Sequence, residues 1–104
     1  MLVEERIYTL HVGKQAEYLD IYEREGLPVQ QQYLGRMLGY YTTEVGPLNQ
    51  VIHLWGYDSF EDRLKRRAAM RKDPRWPPYL KKIQPLFAHQ ESKLLLPTSF
   101  FKPW

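Results

Sequence analysis

Two runs rich in β-branched and aromatic residues, Met37 to Val45 and Leu48 to Tyr57, flank Gly46-Pro47. Glycine next to proline interrupts both runs and supplies a turn, so the segment reads as a β-hairpin. With Gly46 and Pro47 at the turn centre, Tyr40 pairs with His53, Thr42 with Val51 and Leu38 with Trp55. The opposite face then carries Gly39, Tyr41, Ile52 and Leu54. Neither face is polar. A strand pair patterned in this way is covered on both sides, and this need for two covering layers constrains the fold more than any other feature of the chain.

The rest of the chain supplies one of those layers. Val3 to His11 mixes β-branched, aromatic and polar residues at period two and stops at Gly13, which predicts a strand. Lys14 to Glu25 places Ala16, Leu19 and Tyr22 on one side of a helix, with Gly26 as its C-terminal stop. Pro28 opens a further helical turn through Gln30, Gln31 and Gln32, closed by Gly35. Ser59 followed by Asp62 is an acidic capping box, starting a helix through Lys72 with Phe60, Leu64 and Ala68 as its buried stripe. Asp73-Pro74 breaks it. A last short helix begins near Pro77 or Pro78, since prolines deeper inside would delete backbone bonds, and turns Tyr79, Leu80 and Ile83 inward. Phe87 to Leu96 is the final strand, ended by Pro97. The order β-α-β-β-α-β is that of an α+β, ferredoxin-like fold: a four-stranded antiparallel sheet with helices on one face.

A chain of 104 residues has room for one core, so residues 1–104 are expected to form a single domain. Its second sheet face is left bare, and a second copy of the chain packed sheet to sheet is the simplest cover. The tail Phe100-Phe101-Lys102-Pro103-Trp104 agrees, because exposed terminal aromatics need something to dock on. Eight Tyr, four Phe and three Trp also exceed what one small core hides, which points to a pocket or an interface.

Several function classes are excluded or disfavoured. With no cysteine there is no disulfide, zinc ribbon, iron–sulfur cluster or thiol nucleophile. No run approaches the ~18 apolar residues of a membrane span, and the acidic start Met1-Leu2-Val3-Glu4-Glu5 is unlike a secretory signal, so a cytoplasmic location is expected. More than half of the lysines and arginines lie between Arg63 and Lys82. At a net charge of +3 they read as a solvated helix face, with Arg63, Arg66 or Arg67 paired to Glu17, Asp20 or Glu23, and not as a nucleic-acid site. His53, Trp55 and Tyr57 mimic the stacking aromatics of an RNA-recognition sheet, but the Lys/Arg-Gly-Phe-x-Phe signature is missing. No glycine-rich loop precedes a helix to hold phosphate. Ser59, Ser92 and Ser99 sit in a cap, a strand and a tail, so a serine triad has no support.

The chain resembles the NIPSNAP domain. The resemblance rests on Arg6-Ile7-Tyr8-Thr9-Leu10 with Gly13, Tyr18-Leu19, Gly39-Tyr40, Thr43-Glu44-Val45-Gly46, the block Asn49-Gln50-Val51-Ile52-His53-Leu54-Trp55, and Asp73-Pro74-Arg75-Trp76. It runs over nearly the whole chain, departing at Pro77-Pro78 where the family has helix formers. It implies a dimeric α/β barrel, two ferredoxin-like sheets facing each other, and it implies no mechanism. Barrels of this shape include cofactor-independent monooxygenases and isomerases, a link by fold alone.

The densest polar and aromatic cluster falls on the hairpin: Tyr40, Thr42 and Glu44 with His53 and Trp55, joined by Arg6 and Tyr8 and, depending on register, by His89 or Glu91. His53, Tyr40, Arg6 and Glu44 are the candidate catalytic residues, with His53 as base and Tyr40 or Arg6 stabilising an enolate. Tyr8, Tyr40, His53, Trp55 and Trp76 are candidates to line a ligand cavity. Structural packing accounts for the same residues and weighs more. No His-x-His or Glu-x-x-His pair anchors a metal among His11, His53, His89, Glu44 and Glu91, and no cofactor is expected. The expected protein is therefore a homodimeric binding or scaffold domain that holds a small hydrophobic or aromatic molecule or a protein partner. The alternative is a cofactor-independent monooxygenase or isomerase acting on a small aromatic or lactone substrate.

Overall fold

The computed structural model describes all of residues 1–104. Strand β1 is Leu2–Leu10, helices α1 and α2 are Gln15–Ile21 and Leu27–Tyr33, and the hairpin strands β2 and β3 are Arg36–Thr42 and Gln50–Tyr57. Helix α3 is Phe60–Arg71, α4 is Trp76–Ile83, and β4 is Phe87–Leu95. The strands form one antiparallel sheet in the order β2-β3-β1-β4, the ferredoxin-like arrangement expected. No helix is long and apolar enough to cross a membrane.

Register follows side-chain alternation. Tyr40 faces His53 and Thr42 faces Val51, as the sequence predicts, but Trp55 faces Met37 and not Leu38. A β-bulge between Met37 and Gly39 absorbs one residue and moves the pairing. The hairpin connection is also longer than a tight turn, spanning residues 43–49. Along β1, Leu2, Glu4, Arg6, Tyr8 and Leu10 point to the helices, and Tyr8 and Leu10 join Tyr18, Val29, Val51, Trp55 and Ile83 in the core.

Two expectations about the helices are overturned. Gly26 does not end a helix: α1 continues through a single π-helical turn, Tyr22–Gly26, straight into α2, and Gly26 keeps a right-handed φ of −87°. Its role is spatial. A Cβ on Gly26 would lie 2.5 Å from Cζ of Tyr79, so a bare backbone lets the ring of α4 press against the helix. The α3 stripe is the second correction. Phe60 and Leu64 are half exposed and Ala68 is exposed, while the buried apolar residue of the helix is Met70. The face toward the sheet carries Arg63, whose side chain is 16% exposed, and Arg67. Long aliphatic stems let arginine occupy such a face while the guanidinium finds polar partners. Proline tolerance at the start of α4 holds: Pro77 and Pro78 occupy its first turn.

The thinnest dimension is 19 Å, which fits one sheet and one helix layer and no third. On the far face Tyr41 is more than half exposed and Ile52, Leu54 and Leu38 are partly exposed. The C-terminal tail crosses one end of this face. The Trp104 ring lies against Gly56, where a Cβ would come within 2.5 Å of it, and under the Arg36 guanidinium at 4.1 Å. Phe100 and Phe101 stay exposed on the rim of an apolar groove that includes Val3, Leu38 and Leu54.

Candidate functional site

Antiparallel pairing sets Arg6 between His53 of β3 and Ser92 of β4, and Glu4 between Trp55 and Leu94. Glu4 is fully buried. Arg63 of α3 grips it with both prongs, Nε to Oε1 at 3.1 Å and Nη2 to Oε2 at 2.7 Å. Arg6 Nη1 at 3.1 Å and the Ser92 hydroxyl at 2.6 Å also donate to Oε2. Burial alone would push this carboxyl up; the hydrogen bonds from Arg63 and Ser92, with the charges of Arg6 and Arg63, overcome it and hold the group down at about 2. Arg6 also donates from Nε to the Tyr8 hydroxyl at 3.0 Å.

Beside this ionic knot runs a chain of rings. His53 stacks on Tyr40 with centroids 4.6 Å apart and meets the edge of Tyr8 at 4.8 Å, and Tyr40 stacks on Tyr22 at 4.5 Å. The Tyr18 and Tyr40 hydroxyls share a 2.7 Å hydrogen bond, and Tyr22 donates to Gln30 at the same distance. Four of the residues expected to meet, Tyr8, Tyr40, His53 and Trp55, do so, with Arg6 adjoining. Glu44 does not: β2 ends at Thr42 and Glu44 is exposed on the connection. His89 and Glu91 pair with Thr9 and Ile7 and so fall on the far face of the sheet. Arg63 and Arg66 take Glu4 and Asp62 as partners and not the α1 acids.

The chemistry available to His53 follows from its bonds. Trp55 Nε1 donates to His53 Nδ1 at 2.7 Å. An indole nitrogen only donates, so Nδ1 supplies a lone pair and the ring proton sits on Nε2. Nε2 is buried without a partner. Burial, helped by the charge of Arg6, pushes the imidazole down to about 3. The ring thus has no free basic nitrogen, and accepting a proton would break the Trp55 bond. The Tyr57 hydroxyl is likewise buried and unpartnered, and burial with the Glu4 charge pushes it up to about 12.

Between the sheet and the helices α3 and α4 lies a cavity of about 220 Å³. Tyr8, Tyr18, Trp76 and Tyr79 form aromatic walls, and Arg6, Arg67 and Arg71 bring positive charge to it. Tyr40, His53 and Trp55 pack behind Tyr8 and do not reach the lining. Glu4, Arg63, Arg67 and Ser92 belong to the knot or the cavity, and the sequence placed none of them there: Arg63 and Arg67 were expected on a solvated helix face, and Ser92 only as a strand residue. One signal was present: Glu4 has the same parity as Tyr8 and Leu10 on β1, which turns it inward.

Fold and site together define a two-layer α+β domain with a buried arginine–carboxylate knot and an aromatic cavity behind its sheet. The chain belongs to the NIPSNAP family, whose sequence model matches residues 3–102. Human NipSnap homolog 3A is 31% identical over 103 residues, covering 97% of this chain and 39% of the human protein. An uncharacterized NIPSNAP-like domain protein from Burkholderia xenovorans has a crystal structure with TM-score 0.93 and 48% identity, covering 98% of this chain and 89% of that one. A NIPSNAP family protein from Agrobacterium tumefaciens superposes with TM-score 0.93 at 44% identity, covering 95% and 94%. The chain spans about a third of the length of the curated relatives it matches, 30% and 39% for the first two. The fold is also that of an antibiotic biosynthesis monooxygenase, with TM-score 0.68 at 10% identity over 94% of this chain and 99% of that one.

Proposed function

We propose that this NIPSNAP domain is a cytoplasmic, homodimeric binding protein that holds a small aromatic or apolar molecule between its sheet and its helices. The observation that carries the reading is the cavity walled by Tyr8, Tyr18, Trp76 and Tyr79. Five rings around a small space, these four and Phe87, give a flat molecule face and edge contacts. Pairing is supported by the far sheet face, where Leu38, Ile52, Leu54 and Tyr41 have only the tail beside them. Catalysis by acid and base has less support, because the one histidine of the cluster has its Nδ1 lone pair engaged by Trp55 and a low proton affinity.

Titration with benzyl alcohol followed by NMR tests the binding part. Resonances of Tyr8, Tyr18 and Trp76 are expected to shift and saturate, and Leu80→Trp, which fills the cavity from α4, to abolish the shifts. Shifts confined to the far sheet face, or none at all, would reject it. Analytical ultracentrifugation tests the pairing: the 12.5 kDa chain is expected to sediment as a dimer and Leu54→Glu as a folded monomer. A monomeric native protein would reject that part.

A further inference from the structure

We infer that the molecule held in the cavity carries an oxyanion, gripped by Arg67 and Arg71 while its ring lies against the aromatic walls. The inference rests on the binding reading above and adds the chemical class of the ligand.

Arg6, Arg63 and Arg67 all reach the space between β1 and α3, and Glu4 is the only carboxylate buried there. Glu4 is saturated: Arg63 takes both oxygens, and Arg6 and Ser92 complete Oε2. Arg67 is left without a carboxylate partner, with only the Tyr57 hydroxyl beside it, although it is half buried. Every other arginine of the chain except Arg71 is paired with a carboxylate. The two that are not are neighbours one turn apart on α3, and both line the cavity. Burial, with Arg6 beside it, pushes the Arg67 guanidinium down from its ordinary value, and the Glu4 charge offsets this only in part.

An unpaired guanidinium in a half-buried site is costly, and an entering oxyanion removes the cost by forming charge-assisted hydrogen bonds. The planar fork of arginine suits two oxygens on one centre, as in a carboxylate or a phosphate. The size of the cavity limits the remainder. At about 220 Å³ it falls below the ~300–1,000 Å³ of sites for drug-sized ligands, which leaves room for a single ring. An aromatic acid or an aryl phosphate of one ring meets both requirements. Arg71 is exposed, so the charged end is placed toward solvent and the ring toward Tyr8 and Tyr18.

Calorimetric or NMR titration of the intact protein with benzoate, phenyl phosphate and benzamide tests this. Benzoate or phenyl phosphate is expected to bind about tenfold or more tightly than neutral benzamide, and whichever of the two binds more tightly names the oxyanion. The preference is expected to vanish in Arg67→Met and to fall in Arg71→Gln, a variant at an exposed position. Arg67→Met is expected to melt no lower than the native protein, since it removes an unpaired charge. Equal binding of benzoate and benzamide would overturn the oxyanion while leaving the cavity as a binding site. An unchanged preference in both variants would overturn the assignment to these arginines, and failure of all three compounds to bind would overturn the binding reading as well.

Discussion

Arg63 reaches from α3 to the floor of the sheet and closes a two-pronged grip on Glu4, at 3.1 Å and 2.7 Å. Glu4 has no contact with water, so this pair joins the two layers of the domain through charge. Removing one member of a buried pair strands the other, which typically costs ~3–5 kcal/mol. Glu4→Gln is therefore expected to lower unfolding free energy by about 3 kcal/mol in urea titrations. Glu4→Leu combined with Arg63→Met should cost less than the sum of the two single changes. Strict additivity would mean that the grip carries no coupling.

Stability should fall in two steps as pH falls. His53 is held down at about 3, whereas in the unfolded chain it titrates near ~6.5. Below that pH the unfolded state takes a proton that the folded state refuses, so stability drops by up to about 1.4 kcal/mol per pH unit between pH ~6.5 and ~3. Glu4 adds a second loss: its stabilising effect is fully present above pH ~4.5 and disappears as pH falls toward about 2. Urea midpoints measured from pH 7 to 4.5 should slope downward in the native protein and flatten in His53→Gln. A flat native profile over that range would contradict the buried, neutral histidine.

Gly26→Ala, ordinarily stabilising in a helix by ~1 kcal/mol, should here destabilise by about 2 kcal/mol, because the added methyl meets the Tyr79 ring at 2.5 Å. In a Tyr79→Leu background the penalty should shrink or reverse. Thermal melts of the four proteins of this cycle decide the matter.

Leu64→Gln should change stability by less than ~0.5 kcal/mol, since Leu64 is half exposed. A loss of ~2–5 kcal/mol, typical of a truncated core leucine, would restore the apolar stripe as the buried face of α3.

That stripe shows where residue pattern and structure part. The hairpin was legible because alternation decides which side chains share a face, so Tyr40 opposite His53 and Thr42 opposite Val51 follow from the turn. The slip at Met37 was not, since a bulge leaves no trace in composition. Gly26 has two physical reasons to be glycine, torsional freedom and lack of volume, and only the placement of Tyr79 tells them apart. On α3, hydrophobicity pointed to Phe60 and Leu64, but a buried Glu4 on the facing sheet selected the arginine face instead. Nothing local to α3 announces that carboxylate, 59 positions from Arg63 in the chain. The aromatic cluster around His53 was legible for the same reason as the hairpin, whereas the cavity needed the helices in place.

The charged seam under α3 has a thermal consequence. Releasing this helix exposes guanidinium and carboxylate groups together with the arginine stems and Met70. Polar exposure lowers heat capacity and apolar exposure raises it. Detachment of α3 therefore carries a smaller heat-capacity change than release of an apolar helix face of the same area, and its free energy should curve less with temperature. Most of the curvature of the whole stability profile then belongs to α1, α2 and α4, whose rings and aliphatic side chains pack on the sheet.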